Sequence, residues 1–227
     1  MTPVTDRLLL VAFTLGVVAF VVMALLAASN DTFAGDLWAT RQLQSVESDL
    51  FARPLDWTED LAQSPLVMIV AAISAVAFVL ARRLEAAALM LGTQAARLVV
   101  PLLKETIERP RPSPDLVNVS GAPADFSFPS GHSFSAMLTF GLLFYLATAH
   151  VRPTAPRVAL QAACLWVVIV TGLERVYVGH HWPSDVLGGF LAAALFLALF
   201  VWLHRARVGL GASGTSVAAP TITGGGA

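Results

Sequence analysis

The sequence is poor in charge and nearly free of cysteine. Only 13% of its 227 residues are charged, and acids and bases almost cancel to a formal net charge of −1. No global basic field is available to draw nucleic acid, so none is expected as a partner. The one cysteine, Cys164, lies inside an apolar run. A lone thiol excludes an internal disulfide and leaves a zinc–thiolate site without ligands. Cys164 is expected as a small buried hydrophobe. Internal repeats are also lacking.

What is abundant is apolar surface. Hydrophobic residues make up 56% of the chain, and the mean hydropathy is +0.72. That is too apolar for an ordinary soluble domain. A spanning helix takes about 20 apolar residues, and six runs qualify: 8–28, 65–81, 85–103, 132–149, 158–173 and 185–204. The second and fifth are short and need tilt or an extended end. The expected fold is all-α, a six-transmembrane helix bundle forming one membrane-embedded domain over residues 1–208. Gln94 and Arg97 in the third run should face the bundle interior or snorkel. Arg7 with the run ending in LLAAS also resembles a signal peptide, but the run is long for one, which favours a retained helix. The glycine-rich stretch 209–227 reads as a disordered tail.

Basic residues in short loops set orientation. Arg7, Arg82, Arg83, Arg152, Arg157, Arg205 and Arg207 fall on one side, in short turns. Arg41, Arg53, Lys104, Arg109, Arg111 and Arg175 fall on the other, in longer loops diluted by acids. Both termini are therefore expected in the cytoplasm, with loops 29–64, 104–131 and 174–184 outside. Within the first outer loop, Leu43, Val46 and Leu50 have helical spacing, with Trp38 and Phe51 near. This pattern fits an interfacial helix with its apolar face in lipid, or a capping helix packed over the bundle.

The scarce polar groups cluster in three segments of the outer side: KETIERPRP (104–112), FPSGHS (128–133) and ERVYVGHHWPSD (174–185). Lys104, Arg111 and Arg175 are cations at helix ends, and three converging cations make an anion site. Lys104 and Arg111 share a helix face if the helix continues; Pro110 and Pro112 favour an irregular loop instead. Ser130 is a natural N-cap for the fourth run. Gly131 allows close backbone approach, and the helix start can hold a phosphate. His132 then lies in the first turn. Pro183 suits the start of the sixth helix. Asp185 is in i, i+4 register with His181, and a carboxylate on one ring nitrogen would leave the other free as a nucleophile. His180 is off that register and reads as a solvated loop histidine.

Together these residues resemble the three-part signature of the type 2 phosphatidic acid phosphatase family, which includes bacterial acid phosphatases and vanadium haloperoxidases. The pattern is Lys104, six residues, Arg111-Pro112; then Pro129-Ser130-Gly131-His132; then Arg175, five residues, His181, three residues, Asp185. The resemblance implies a phosphatase that needs no metal or other cofactor. It implies that His181 attacks phosphorus, Asp185 orients His181, and His132 protonates the leaving oxygen and then activates water. Lys104, Arg111 and Arg175, with Ser130 and the Gly131 N–H, would hold the phosphate oxygens. One departure stands out: Glu174 occupies the place before Arg175 where the family usually has serine. An acid there could repel substrate, brace Arg175 or face away.

The expected activity is hydrolysis of a lipid phosphate or diphosphate at the outer face of a bacterial plasma membrane. Undecaprenyl diphosphate, phosphatidylglycerol phosphate and phosphatidic acid are the candidate substrates. Phosphotransfer to a second acceptor would use the same residues. Haloperoxidase chemistry needs no lipid anchor, and a transporter finds support only in Gln94 and Arg97.

Overall fold

In the computed structural model the structure describes residues 3–46, 64–121 and 123–214. Among them every regular element is helical: α1 (Pro3–Ser29), α2 (Asp36–Gln44), α3 (Ser64–Leu80), α4 (Leu84–Ala96), α5 (Val99–Ile107), α6 (Gly131–His150), α7 (Thr154–Tyr177) and α8 (Pro183–Gly214). Five helical segments are long and apolar enough to cross a membrane: 7–29, 84–107 (α4 with α5), 131–150, 154–177 and 183–207. α3 is apolar over Pro65–Leu80 but shorter.

α6 is the central helix. It packs along α7 and α8 and also meets α3 and α4. Its Phe134, Leu138, Leu142 and Leu146 are wholly buried, at the i, i+4 spacing that keeps one stripe facing neighbours. Small residues let α8 come close. A Cβ on Gly189 would stand 2.6 Å from the Ser130 carbonyl, and one on Gly188 would stand 2.4 Å from the Phe128 ring. The outer flanks are apolar but uncovered: Leu8, Leu10, Leu15, Ile73, Leu98, Leu102 and Trp202 are all more than half exposed. A belt of this kind, wrapped around the bundle, marks a lipid-facing surface, and the protein is an integral membrane protein.

Three expectations are modified. The third run is not one continuous helix: it breaks at Arg97–Leu98, between α4 and α5. Pro101 explains this, since its ring excludes the amide bond to Arg97 and crowds that carbonyl, which takes the Val100 N–H instead (3.1 Å). In the first outer loop, α2 lies over the ends of α7 and α8 with Asp36 and Thr40 buried, so it packs as a cap. Leu50 and Phe51 of the expected interfacial face lie outside the described residues. Finally, α8 continues to Gly214, into the stretch read as a tail from Gly209; residues 215–227 lie outside the described residues.

Candidate functional site

The three polar segments meet at one end of the bundle. Lys104 comes from the last turn of α5, Gly131 and His132 from the start of α6, and Arg175 from the last turn of α7. α5 stops at Ile107, where Glu108 takes a left-handed conformation (φ 54°) and its N–H closes on the Lys104 carbonyl. The described residues between 108 and 130 form no helix or strand, so Arg111 reaches the site from a loop rather than along a continued helix. Lys104, Arg111, Arg175, His132, His180 and His181 line one cleft with a volume of about 550 Å³. The cleft runs on past Leu98 and Met68 to Gln94 and Arg97. Arg97 donates to the Gln94 side-chain carbonyl over 2.7 Å.

The cations are held by acids. Asp125 accepts from Lys104 Nζ (2.5 Å) and from Arg111 Nη2 (2.6 Å), spanning two of the three cations. Burial alone would raise the Asp125 carboxyl, but hydrogen bonds and charge from Lys104 and Arg111 outweigh it and hold it at about 2. Glu174 is buried and accepts from both Nε and Nη2 of Arg175. The departure at position 174 is therefore a brace: it fixes one edge of the guanidinium and leaves Nη1 free to point elsewhere, 3.4 Å from His180 Nδ1.

His181 is 2% exposed. Burial first, then the charges of Arg111, Lys104 and Arg175, push its imidazole well below the ordinary value, so the ring is neutral. The expected direct bond from His181 to Asp185 is not made. Nδ1 lies 3.7 Å from Asp185 Oδ2, beyond hydrogen-bond reach. Ser127 fills the gap: its Oγ is 3.3 Å from Nδ1 and donates to Asp185 Oδ2 over 2.5 Å. With that hydroxyl proton spent on Asp185, Ser127 accepts from the ring, which places the ring proton on Nδ1. Nε2 is then an acceptor, 3.2 Å from Arg111 Nη1. Asp185 is also held by other partners. Its Oδ1 accepts from Arg109 Nη1 (2.5 Å), and its Oδ2 also takes the Trp182 N–H (2.8 Å).

Two further expectations change. Ser130 caps α6 as foreseen, accepting from the Ser133 N–H at 3.4 Å, but its side chain is fully buried and does not line the cleft. His180 is not a solvated loop residue. Its Nε2 meets the Ser120 carbonyl, and its own carbonyl accepts from Arg111. Gly179, just before it, has φ +73°, and a Cβ there would lie 2.2 Å from the Asn118 carbonyl oxygen, so only glycine fits that turn.

The sequence reading missed three residues. Arg109, counted there only as an outer-loop cation, is wholly buried between Asp36 and Asp185, with Nη2 donating to Asp36 over 2.8 Å. It also donates to Ser184 Oγ (2.7 Å) and stacks over the Phe33 ring. Asp36 in turn accepts the Ser184 N–H (3.0 Å). Ser127, the third, carried no signal of its own. For Arg109 the one local hint is its position directly before Pro110 in ERPRP.

A cluster of cations and paired histidines at the mouth of an apolar helical bundle defines a class of phosphate-handling membrane proteins. Residues 84–208 match the PAP2 superfamily, and the chain belongs to it. Among curated relatives it is 37% identical over 113 residues to phosphatidylglycerophosphatase B of Bacillus subtilis, covering 49% of this chain and 53% of that one. It is 39% identical over 120 residues to lipid A 1-phosphatase of Rhizobium johnstonii, covering 50% and 45% respectively. The chain thus spans about half the length of the curated relatives it matches. The fold resembles the crystal structure of a transmembrane PAP2-type phosphatidylglycerolphosphate phosphatase from Bacillus subtilis. The TM-score is 0.71 at 24% identity, over 85% of this chain and 96% of that one.

Proposed function

We propose that the protein hydrolyses a membrane lipid phosphate or diphosphate through a phosphohistidine intermediate on His181, without a metal. The observation that carries this is the convergence of Lys104, Arg111 and Arg175 with His132 and a neutral His181 on one cleft. His181 Nε2 attacks phosphorus, forming the N–P bond as the bond to the leaving oxygen breaks. His132 gives that oxygen its proton. Water then attacks the phosphohistidine, His132 takes the water's proton, and the N–P bond breaks to release phosphate and free imidazole. Arg111, Lys104 and Arg175 hold the equatorial oxygens, and fixed positive charge there is the main electrostatic stabilisation. Gly131 and His132 at the start of α6 add amide groups and the positive end of a helix dipole. Ser130 contributes by capping that helix, and Asp185 by holding His181 through Ser127.

The cleft's continuation toward Gln94 and Arg97, bordered by the exposed Leu98 and Met68, supports a substrate whose tail stays in lipid. In this reading the chain crosses the bilayer six times, with α3 the shortest span, and the Lys and Arg distribution supports cytoplasmic termini and a site on the outer face of a bacterial plasma membrane. The exposed Trp38 on α2 then sits near the interface. Phosphatidylglycerol phosphate, undecaprenyl diphosphate and phosphatidic acid are the substrates to compare; the likeness to phosphatidylglycerophosphatase B of Bacillus subtilis supports the first.

The test is phosphate release from a panel of purified lipid phosphates in detergent. Release persists with a chelator present, is blocked by vanadate, and falls at least about a thousandfold in His181→Ala. Labelled phosphate appears free in solution rather than on an acceptor. Full activity in His181→Ala would sink the mechanism.

A further inference from the structure

At the far end of the bundle, three ligand-type side chains converge that the phosphate chemistry does not use. Glu85 comes from the first turn of α4, His150 from the last residue of α6, and His204 from α8. Each offers one ligating atom, and the three atoms lie within 4.8 Å of one another. His204 is only 4% exposed. The Nε2 atoms of both histidines are buried and have no hydrogen-bond partner. A buried imidazole nitrogen left unpaired is costly, and here two such nitrogens sit beside one carboxylate.

The surroundings hold the rings in place. His204 Nδ1 lies 3.0 Å from the Tyr145 hydroxyl, leaving Nε2 as the outstanding donor atom. A hydrogen bond on the second ring nitrogen is the usual way a protein orients a metal-binding histidine. His150 stands edge-on to both Phe78 and His204. Glu85 supplies the negative charge, with Arg83 and Arg205 close by. The Arg205 guanidinium rests over the Tyr145 ring, 5.9 Å from its centroid.

We propose that Glu85, His150 and His204 bind one divalent transition-metal ion of the zinc type, at the end of the bundle opposite the phosphate-site cations. Two imidazoles and a carboxylate are a ligand set that zinc accepts, with a water completing four-coordination. Soft-ligand ions are excluded by the lack of thiolate, and calcium or magnesium by the shortage of oxygen ligands. Tetrahedral zinc bonds of about 2.1 Å require ligating atoms roughly 3.4 Å apart, so small side-chain rotations close the site. Glu85 and His150 are part-exposed, which leaves an entry path. Bound there, the ion ties α4, α6 and α8 together at their ends and acts on stability, not on phosphorus.

The experiment uses the full chain in detergent with any polyhistidine tag removed, stripped with chelator and titrated with Zn²⁺. One ion per chain is expected by equilibrium dialysis with elemental analysis, together with a rise in the unfolding temperature. Co²⁺ should give the visible absorption of a four-coordinate ion. Glu85→Gln and His150→Gln, at part-exposed positions, should each weaken binding at least tenfold, as should His204→Gln. A His132→Ala, His181→Ala double variant should bind as the parent does. Absence of stoichiometric binding overturns the proposal. So does binding that survives the Glu85 and His150 changes or disappears with the active-site histidines.

Discussion

At the scale of single residues, Asp125 decides how the resting site looks. Its carboxylate lies across Lys104 and Arg111, where the proposed chemistry needs phosphate oxygens. Substrate must displace it. Because those cations hold the carboxyl at about 2, it stays ionised at every ordinary assay pH and is lost only as pH falls toward that value. Acidification within the working range will therefore not unlock the cations. The expected outcome is that Asp125→Asn lowers the vanadate concentration for half-inhibition severalfold, by the same factor at pH 6 and pH 8. A rise in that concentration would mean that Asp125 positions the cations instead of competing for them. Glu174 does the opposite job. It grips the Nε–Nη2 edge of Arg175 and leaves Nη1 on the side of His180, so the third cation stays ready.

At the scale of elements, the cap α2 is fastened by charge. Asp36, Arg109 and Asp185 form a buried chain of ion pairs that runs from α2 through the 108–130 segment to the start of α8. Removing one member strands the others in a dry environment, at about 3–5 kcal/mol. Asp36→Ala should lower the unfolding temperature in detergent by roughly 10 °C and reduce activity, since Arg109, which holds Asp185, loses its second anchor. Trp38→Ala, two residues along the same helix but on its exposed side, should leave the unfolding temperature unchanged; equal losses in both would show that the whole helix, not the ion chain, matters.

At the scale of the whole molecule, what could be read in advance follows from what is local. Apolar runs and residues a fixed step apart are visible in one dimension, so the helices and the cluster of Lys104, Arg111, His132, Arg175 and His181 were legible. The Arg109 contacts were not, because they join residues 73 and 76 positions apart. Ser127 reaches Asp185 across 58 positions. It stands between His181 and Asp185 in place of the expected direct bond, and no local pattern in the sequence marks it. The break at Arg97 was in principle readable, since Pro101 states it, but hydropathy averages over such a residue.

The cleft also reaches the apolar flank of the bundle. Leu98 and Met68 border it and are 71% and 52% exposed on that flank, so the cleft opens sideways as well as at the end of the bundle. A reactant arriving by that route travels in two dimensions, and the quantity that governs its arrival is its share of the surrounding amphiphile. Diluting a lipid phosphate with inert detergent, at constant bulk concentration, should slow turnover in proportion to the fall in surface fraction. A water-soluble phosphate ester tested beside it should be indifferent to the same dilution.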